Sequence, residues 1–426
     1  MKNHDSSASS SRLLRTVPLL MLVVACGHFN RIGISVAGTE QIIPRQGITP
    51  ERMGLVYSAF LAFYTLAMLP GGWLIDRYGT RAALMLWGFG SAVLVALTGV
   101  TGLICHDATS LWLALLVVRS LLGAVNAPLH PAAAHLVYQR VAQPVKSLAN
   151  GLVTFAACVG IAATYTGMGS MIDWLGWPHA FVVSGGMTLA VAIVWTLITR
   201  PAIATPGKSA AHSRGTINFA GLSSVLRRRS VICLTLGYAA QGYFQYLFFY
   251  WIEYFFETIQ HQPTTAARGY NTLITLVMGA GMICGGWLTD HAGRAFASRR
   301  LRRAIVPVLA MVGSGAVFEL GLLAPDPHVT LGAFTIAAGL IGACEGAFWT
   351  TSVELGGRLG GTTAGLMNAG GNLGGCLSPY FTPLLGRIFT EHYGEETGWR
   401  MGLAVAGVIV IAGAASWLGV RPAEEG

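Results

Sequence analysis

The chain has 426 residues, 53% of them hydrophobic and only 11% charged, with a mean hydropathy of +0.58. Soluble domains carry about 25% charge, so this composition excludes a soluble globular protein and indicates a polytopic membrane protein. The net charge of +9 follows the pattern of a membrane topology and does not indicate a nucleic-acid partner.

Residues 1–16, MKNHDSSASSSRLLRT, are polar and lack the apolar core and cleavage site of a signal peptide, so they read as a tail. Twelve apolar stretches follow, at 17–37, 54–75, 82–104, 111–137, 148–172, 179–199, 231–256, 269–289, 304–324, 329–354, 363–388 and 399–420. Each is long enough for a span of about 20 residues. The resulting plan is a first six-helix bundle over 17–199, a linker over 200–230, a second bundle over 231–420 and a tail over 421–426.

In the first span, Arg31 follows the apolar run Val17–Cys26. It sits about 9 Å below the outer end of its helix, counting 1.5 Å per residue. His28 lies three residues earlier, so one turn can hold it against the arginine. In the fourth span Arg119 interrupts LWLALLVVRSLLGAV, about 12 Å below the outer end. Charges inside a membrane are costly and mark transport pathways. Two cations in separate helices at one depth suit an arriving carboxylate or phosphate. The alternative for Arg31 is a side chain that snorkels to the interface.

Arg119, Gly123, Asn126 and His130 share one face of the fourth helix, and Pro128 and Pro131 disturb its lower part. His130 is either a core histidine bonded to a freed carbonyl or a proton relay, and His28 has the same two readings. In the seventh span the run AAQGYFQYLFFYW carries Gln241, Tyr243, Gln245 and Tyr246. The tenth carries Glu345, Trp349, Thr350 and Ser352, and the eleventh Asn368 and Asn372. Polar groups at this depth orient a substrate, although Tyr and Trp also serve as packing or interfacial residues. The glycines at 365, 370, 371, 374 and 375 permit close helix approach. Glu319 and Glu354 lie near helix ends, where they face water.

The seven cysteines all fall in or beside apolar stretches and read as packing residues, neither a disulfide frame nor a metal site. No phosphate-binding loop, zinc spacing or nucleophile motif is present. The chain therefore reads as a non-enzyme without a cofactor, and its transport as secondary.

With the amino terminus inside, inner loops and tails hold twenty of the 27 Lys and Arg residues and outer loops five, the remaining two being Arg31 and Arg119. This asymmetry places both termini in the cytoplasm. The clusters Arg227–Arg229 and Arg299–Arg303 read as topology anchors that touch lipid phosphates.

The chain also repeats itself. GGWLIDRYG at 71–79 returns as GGWLTDHAG at 285–293, and Gly151-Leu152 returns as Gly365-Leu366, both offset by 214. Gly-Trp at 176–177 returns at 398–399 with a short insertion. Two six-helix repeats with a substrate site at their interface form the parallel-repeat transporter plan. In that repeat LIGACEGAFW mirrors LLGAVNAPLH, which sets Glu345 opposite Asn126 at an offset of 219. A carboxylate about 24 Å below the outer end of its helix suits a proton carrier. A static pair with an arginine or with His130 is the other reading.

GGWLIDRYGTR resembles the signature loop of the major facilitator superfamily. Asp76, Arg77, Gly79 and Arg81 fill its positions, and Asp290, Gly293 and Arg294 look like its second copy. The resemblance implies a cytoplasmic gate latched by charge pairs and helix-end contacts. FNRIGISVAG, SAFLAFYTLAMLPGGW, RSLLGAVNAP and MNAGGNLGG further resemble the anion:cation symporter family, which includes bacterial galactonate, glucarate and hexuronate transporters, the vesicular glutamate transporters and sialin. The resemblance covers the whole chain. It implies an all-α fold of twelve transmembrane helices in two pseudo-symmetric bundles. It also implies anion binding or coupling by Arg31 and Arg119, a substrate-site tyrosine at Tyr64 and hydroxyl recognition by Asn372. Where proton-coupled members usually carry glutamate and often aspartate, this chain has Asn126 and Asn30, which take up no proton.

The expectation is a proton-coupled importer of a small organic anion, most simply a sugar acid, working by alternating access in a bacterial inner membrane. Its partners are the anion, protons and lipids, and it acts as a monomer. Arg31, Tyr64, Arg119, Gln241, Gln245, Trp349, Thr350, Ser352, Asn368 and Asn372 are its expected substrate residues, and Glu345, His130 and His28 its proton residues. The alternatives are an exporter or facilitator of another organic acid or drug-like metabolite on the same fold.

Overall fold

The computed structural model describes residues 3–141, 146–199, 227–295 and 299–421. Side chains are described for fewer of them, those of Asp290, Gly293 and Arg294 lying outside, as does most of the 200–230 linker. Among the described residues the chain is helical throughout and contains no strand. Its helices are α1 (Asn3–Ala37), α2 (Ile43–Gln46), α3 (Pro50–Ile104), α4 (Ala108–Asn126), α5 (Leu129–Arg140), α6 (Lys146–Ile198), α7 (Arg229–Tyr250) and α8 (Ile252–Tyr254). The remainder are α9 (Thr264–Ala295), α10 (Arg299–Leu323), α11 (Pro327–Ala343), α12 (Glu345–Gly356), α13 (Gly360–Tyr393) and α14 (Glu395–Ala414). The first helix starts inside the polar segment read as a tail.

Among the described residues, eight stretches are apolar and long enough to cross a membrane. Two hold a pair of spans each. The 55 residues of α3 would extend about 80 Å, far beyond a hydrocarbon core of about 30 Å. The chain breaks at Gly79 (φ 84°, ψ 163°), and α6 breaks likewise at Gly176 (φ 75°, ψ 155°). Both positions need a residue without a Cβ. The conformational counterpart of Gly176 in the second half is Gly394 (φ 84°, ψ 165°), four residues before the Gly398-Trp399 pair that the repeat matches to it.

Three further breaks interrupt the helices. The α4–α5 line breaks at Ala127 and Pro128, where proline offers no N–H. The α11–α12 line breaks at Cys344, and α7 ends at Trp251 (φ −124°, ψ −13°). Asn126 is thus the last residue of α4 and Glu345 the first of α12, so the two mirrored residues both stand at a helix break. The outer end of α4 is capped by Asp107, which accepts from the N–H groups of Thr109 and Ser110. The hydroxyl and N–H of Ser110 hold its carboxyl below the ordinary range.

The chain forms two compact units, Met1–Ile48 with Ala62–Arg214 and Thr49–Leu61 with Gly215–Gly426. The first has a core of Leu20, Val23, Trp87, Leu129 and Trp195. In the second, Phe244, Phe248, Phe318 and Phe334 form an aromatic cluster, with Phe318 stacked on Phe334 at 4.4 Å. Helices α7 and α13 approach closely there, and a Cβ added at Gly374 would lie 1.9 Å from the carbonyl oxygen of Ala239. Gly365 has open space around it. The outer end of α3 belongs to this second unit, where Tyr57 stacks on Tyr250 at 4.8 Å and Ser58 donates to the Cys376 carbonyl at 2.6 Å.

Candidate functional site

In the first unit Arg119 is fully buried. Its guanidinium donates to the backbone carbonyls of Asn30 (3.1 Å) and Arg31 (2.5 Å). It therefore fastens α4 to α1 at the residue that carries the other buried cation. Arg31, also buried, lies over the ring of Tyr64 at 5.7 Å from its centroid, a cation–π geometry. The structure thus brings Arg31, Arg119 and Tyr64 together.

His28 and His130 meet as well. Their Nε2 atoms lie 2.8 Å apart and their rings 5.1 Å, at an interplanar angle of 66°. The Nδ1 atom of His28 is buried and has no hydrogen-bond partner. The carbonyl-bonded core histidine anticipated for His130 gives way to a histidine pair.

Both asparagines are fully engaged. Asn126 accepts from the Trp87 indole (3.0 Å) and donates to Ser91 Oγ (3.2 Å) and the Leu122 carbonyl (2.8 Å). Asn30 accepts from Ser184 Oγ (2.6 Å) and donates to Thr188 Oγ1 (2.7 Å). Each amide is used as donor and acceptor at once, a combination that an ionised carboxylate lacks.

In the second unit Glu345 is the centre of a cluster. Oε1 accepts from the Tyr238 hydroxyl (2.6 Å) and the Trp349 indole (2.8 Å), and Oε2 accepts from Gln241 Nε2 (2.8 Å). No cation pairs with it among the described residues. Gln241 Oε1 is buried and unpartnered. Tyr238 was not anticipated, although it stands three residues before Gln241 and shares its helix face. Trp349 stays 39% exposed, leaving one side of the cluster accessible.

Other anticipated ligands are more dispersed. Gln245 reaches Met278 Sδ at 3.6 Å. Thr350 is exposed and bonds to the Gly346 carbonyl, whereas Ser352 is fully buried and bonds to the Trp349 carbonyl. Asn368 is half-buried and Asn372 buried. Glu354 pairs with Arg303 at 2.5 Å. Glu319 does not turn fully to water, because its Oε1 is buried beside Gly407.

At the Gly79 break, Arg81 donates to the carbonyls of Thr199 (2.5 Å) and Thr196 (3.4 Å), a helix-end contact. Arg77 lies over the rings of Trp73 (5.4 Å) and Tyr78 (5.6 Å). Asp76 is exposed.

The sequence profile of the Major Facilitator Superfamily matches residues 20–379. The chain is 24% identical to a D-galactonate transporter of Escherichia coli O6:H1, over 96% of this chain and 95% of that protein. It is 22% identical to a probable sulfoacetate transporter of Cupriavidus necator, over 95% and 93%. It is 23% identical to a probable galactarate/D-glucarate transporter of Escherichia coli K12, over 88% of each. Among solved structures, a bacterial homologue of the human lysosomal transporter Spinster, inward-facing and unoccupied, superposes with a TM-score of 0.78 at 18% identity. That match covers 99% of this chain and 98% of the other.

Proposed function

Because the chain belongs to the major facilitator superfamily, we propose that it is a secondary transporter of a small organic anion, a sugar acid such as an aldonate, aldarate or hexuronate, taken up with protons by alternating access. The observation that carries this reading is the pinning of Arg31 by Arg119. A guanidinium held on a fixed backbone and against Tyr64 is preorganised to fork onto a carboxylate. Arg119 contributes by positioning, through the bonds that its two terminal nitrogens make to the Asn30 and Arg31 carbonyls. Glu345 with Trp349, Gln241, Gln245, Asn368 and Asn372 supplies acceptors and donors suited to a polyhydroxylated chain. The names of the galactonate and glucarate transporters that the chain resembles support the same substrate class.

Protons enter through Glu345 and through His28 and His130, the groups near mid-span able to gain one. Asp76, Arg77, Gly79 and Arg81 form the cytoplasmic gate of the first half, with Arg81 on the Thr199 and Thr196 carbonyls, and Asp290 and Arg294 belong to its second copy. The protein works as a monomer in a bacterial inner membrane with both termini in the cytoplasm, as the placement of its lysines and arginines supports.

A thermal-shift screen of the purified protein tests the substrate class. Aldonates and aldarates should raise the unfolding temperature, and the Arg31→Ala variant should not respond. Stabilisation by sulfoacetate or by apolar compounds alone would reject the sugar-acid assignment.

A further inference from the structure

The His28–His130 contact constrains how many protons the first unit can carry. At 2.8 Å only one hydrogen fits between the two Nε2 atoms, one ring donating and the other accepting. A neutral pair holds two hydrogens on four ring nitrogens. One lies between the facing atoms and the other sits on the outer Nδ1 of the accepting ring. The buried, unpartnered Nδ1 of His28 assigns the tautomers, since an orphan N–H is rarer in proteins than an orphan acceptor. His28 is the donor through Nε2, and His130, half-buried, carries its outer hydrogen on Nδ1.

One further proton has one place to go, the bare Nδ1 of His28. The hydrogen between the rings stays, and the bond becomes charge-assisted and stronger. A second added proton would put two N–H groups and two positive charges face to face, which breaks the contact. The pair thus titrates as a unit that accepts a single proton.

Its surroundings tie that proton to the anion. Arg31 stands three residues from His28, on the same face of α1. Arg119 is fastened to the carbonyls of Asn30 and Arg31, two and three residues along α1 from His28. Of the other titratable groups on the neighbouring elements, Cys26 is bonded to Thr188 and Asn30. Tyr64, Cys158 and Tyr165 are uncharged near neutral pH. His135, Tyr138 and Arg140 lie farther along α5, past the pair. The charge that opposes a proton on the pair is that of the arginines, and a carboxylate on Arg31 cancels it. By linkage the effect is reciprocal, so a proton on the pair strengthens anion binding.

We propose that His28 and His130 form a single proton-binding site, loaded with one proton for each anion that binds at Arg31. This rests on the reading of Arg31 as an anion site. Binding of a monoanion with one proton makes the loaded first unit no more charged than the empty one.

The test uses the full-length protein in lipid nanodiscs. Proton uptake is read with a pH dye in weak buffer on adding D-galactonate, while ¹⁵N-histidine magnetic resonance follows the rings from pH 8 to pH 5 without substrate. The wild type should take up about one proton per anion, with affinity rising by up to about tenfold per pH unit. His28→Gln and His130→Gln, which keep a hydrogen-bonding side chain, should each bind anion with no proton uptake. Both rings of the wild type should shift together in one single-proton step. Uptake that persists in the double variant, or two separate ring titrations, would overturn the proposal, as would loss of uptake in Glu345→Gln with both histidines intact. If D-galactonate does not bind at any pH, the substrate reading fails, and the ring titration alone still decides the fate of the pair.

Discussion

In the first unit the charges near mid-span are cationic, and carbonyls and an aromatic face hold them: Arg119 on Asn30 and Arg31, Arg31 over Tyr64. In the second unit the charge is Glu345, and a phenol, an indole and an amide hold it. The mirrored positions Asn126 and Glu345 both stand at helix breaks, yet their surroundings differ in kind. Asn126 meets donors and acceptors together, whereas Glu345 meets donors alone. Each environment is built for the residue it contains. The repeat has preserved the place and exchanged the chemistry: the first half presents cations near the site and the second a carboxylate among donors.

The comparison breaks most visibly at Arg31. Arg31→Ala should weaken binding of a sugar acid by about 10- to 100-fold, because a charged hydrogen bond contributes about 1.5–3 kcal/mol and each 1.4 kcal/mol is tenfold. Calorimetry on the purified protein would measure it, and Arg31→Lys should recover little, lacking the planar fork. Wild-type affinity in the alanine variant would remove the cationic role from the first half.

Glu345→Gln comes next. The unpartnered Gln241 Oε1 lets its amide flip to accept from the new amide, so stability should change by less than about 1 kcal/mol. Accumulation driven by a pH gradient should fall while counterflow persists. Equal loss of both would make Glu345 a structural or substrate residue.

The exchange of chemistry can be probed from the other side. Asn126→Asp should destabilise the protein by about 1–3 kcal/mol near neutral pH, since a carboxylate cannot donate to the Leu122 carbonyl. The deficit should shrink in acid, where a protonated side chain can. A neutral substitution effect in chemical denaturation would mean that the two mirrored sites are interchangeable.

Two glycines of α13 separate packing from chemistry. Gly374→Ala should cost about 1–3 kcal/mol by forcing α7 and α13 apart. Gly365→Ala, with open space around it, should be nearly neutral in the same thermal unfolding experiment.

Much of the fold was legible because membrane spans announce themselves in length and apolarity, and because the 214-residue repeat exposed the two halves. The depths of Arg31 and Arg119 followed from counting along a helix. That Arg119 bonds the Asn30 and Arg31 carbonyls did not, since backbone acceptors leave no mark in a sequence. The Glu345–Trp349 contact was present as an i, i+4 spacing, but its third partner Tyr238 lies 107 residues away on another helix. The His28–His130 pairing depends on α1 packing beside α5, and helical periodicity within one segment does not encode it. Ser352 shows the reverse error, a polar residue at the expected depth whose hydroxyl is spent on its own helix.

Reconstituted vesicles decide whether a proton gradient drives the anion inward. D-galactonate uptake is followed with the outside acid, and again in the same vesicles after the gradient is collapsed. Accumulation above the outside concentration should occur only while the gradient stands, and none with Arg31→Ala. Equal final levels with and without the gradient would contradict proton-driven uptake.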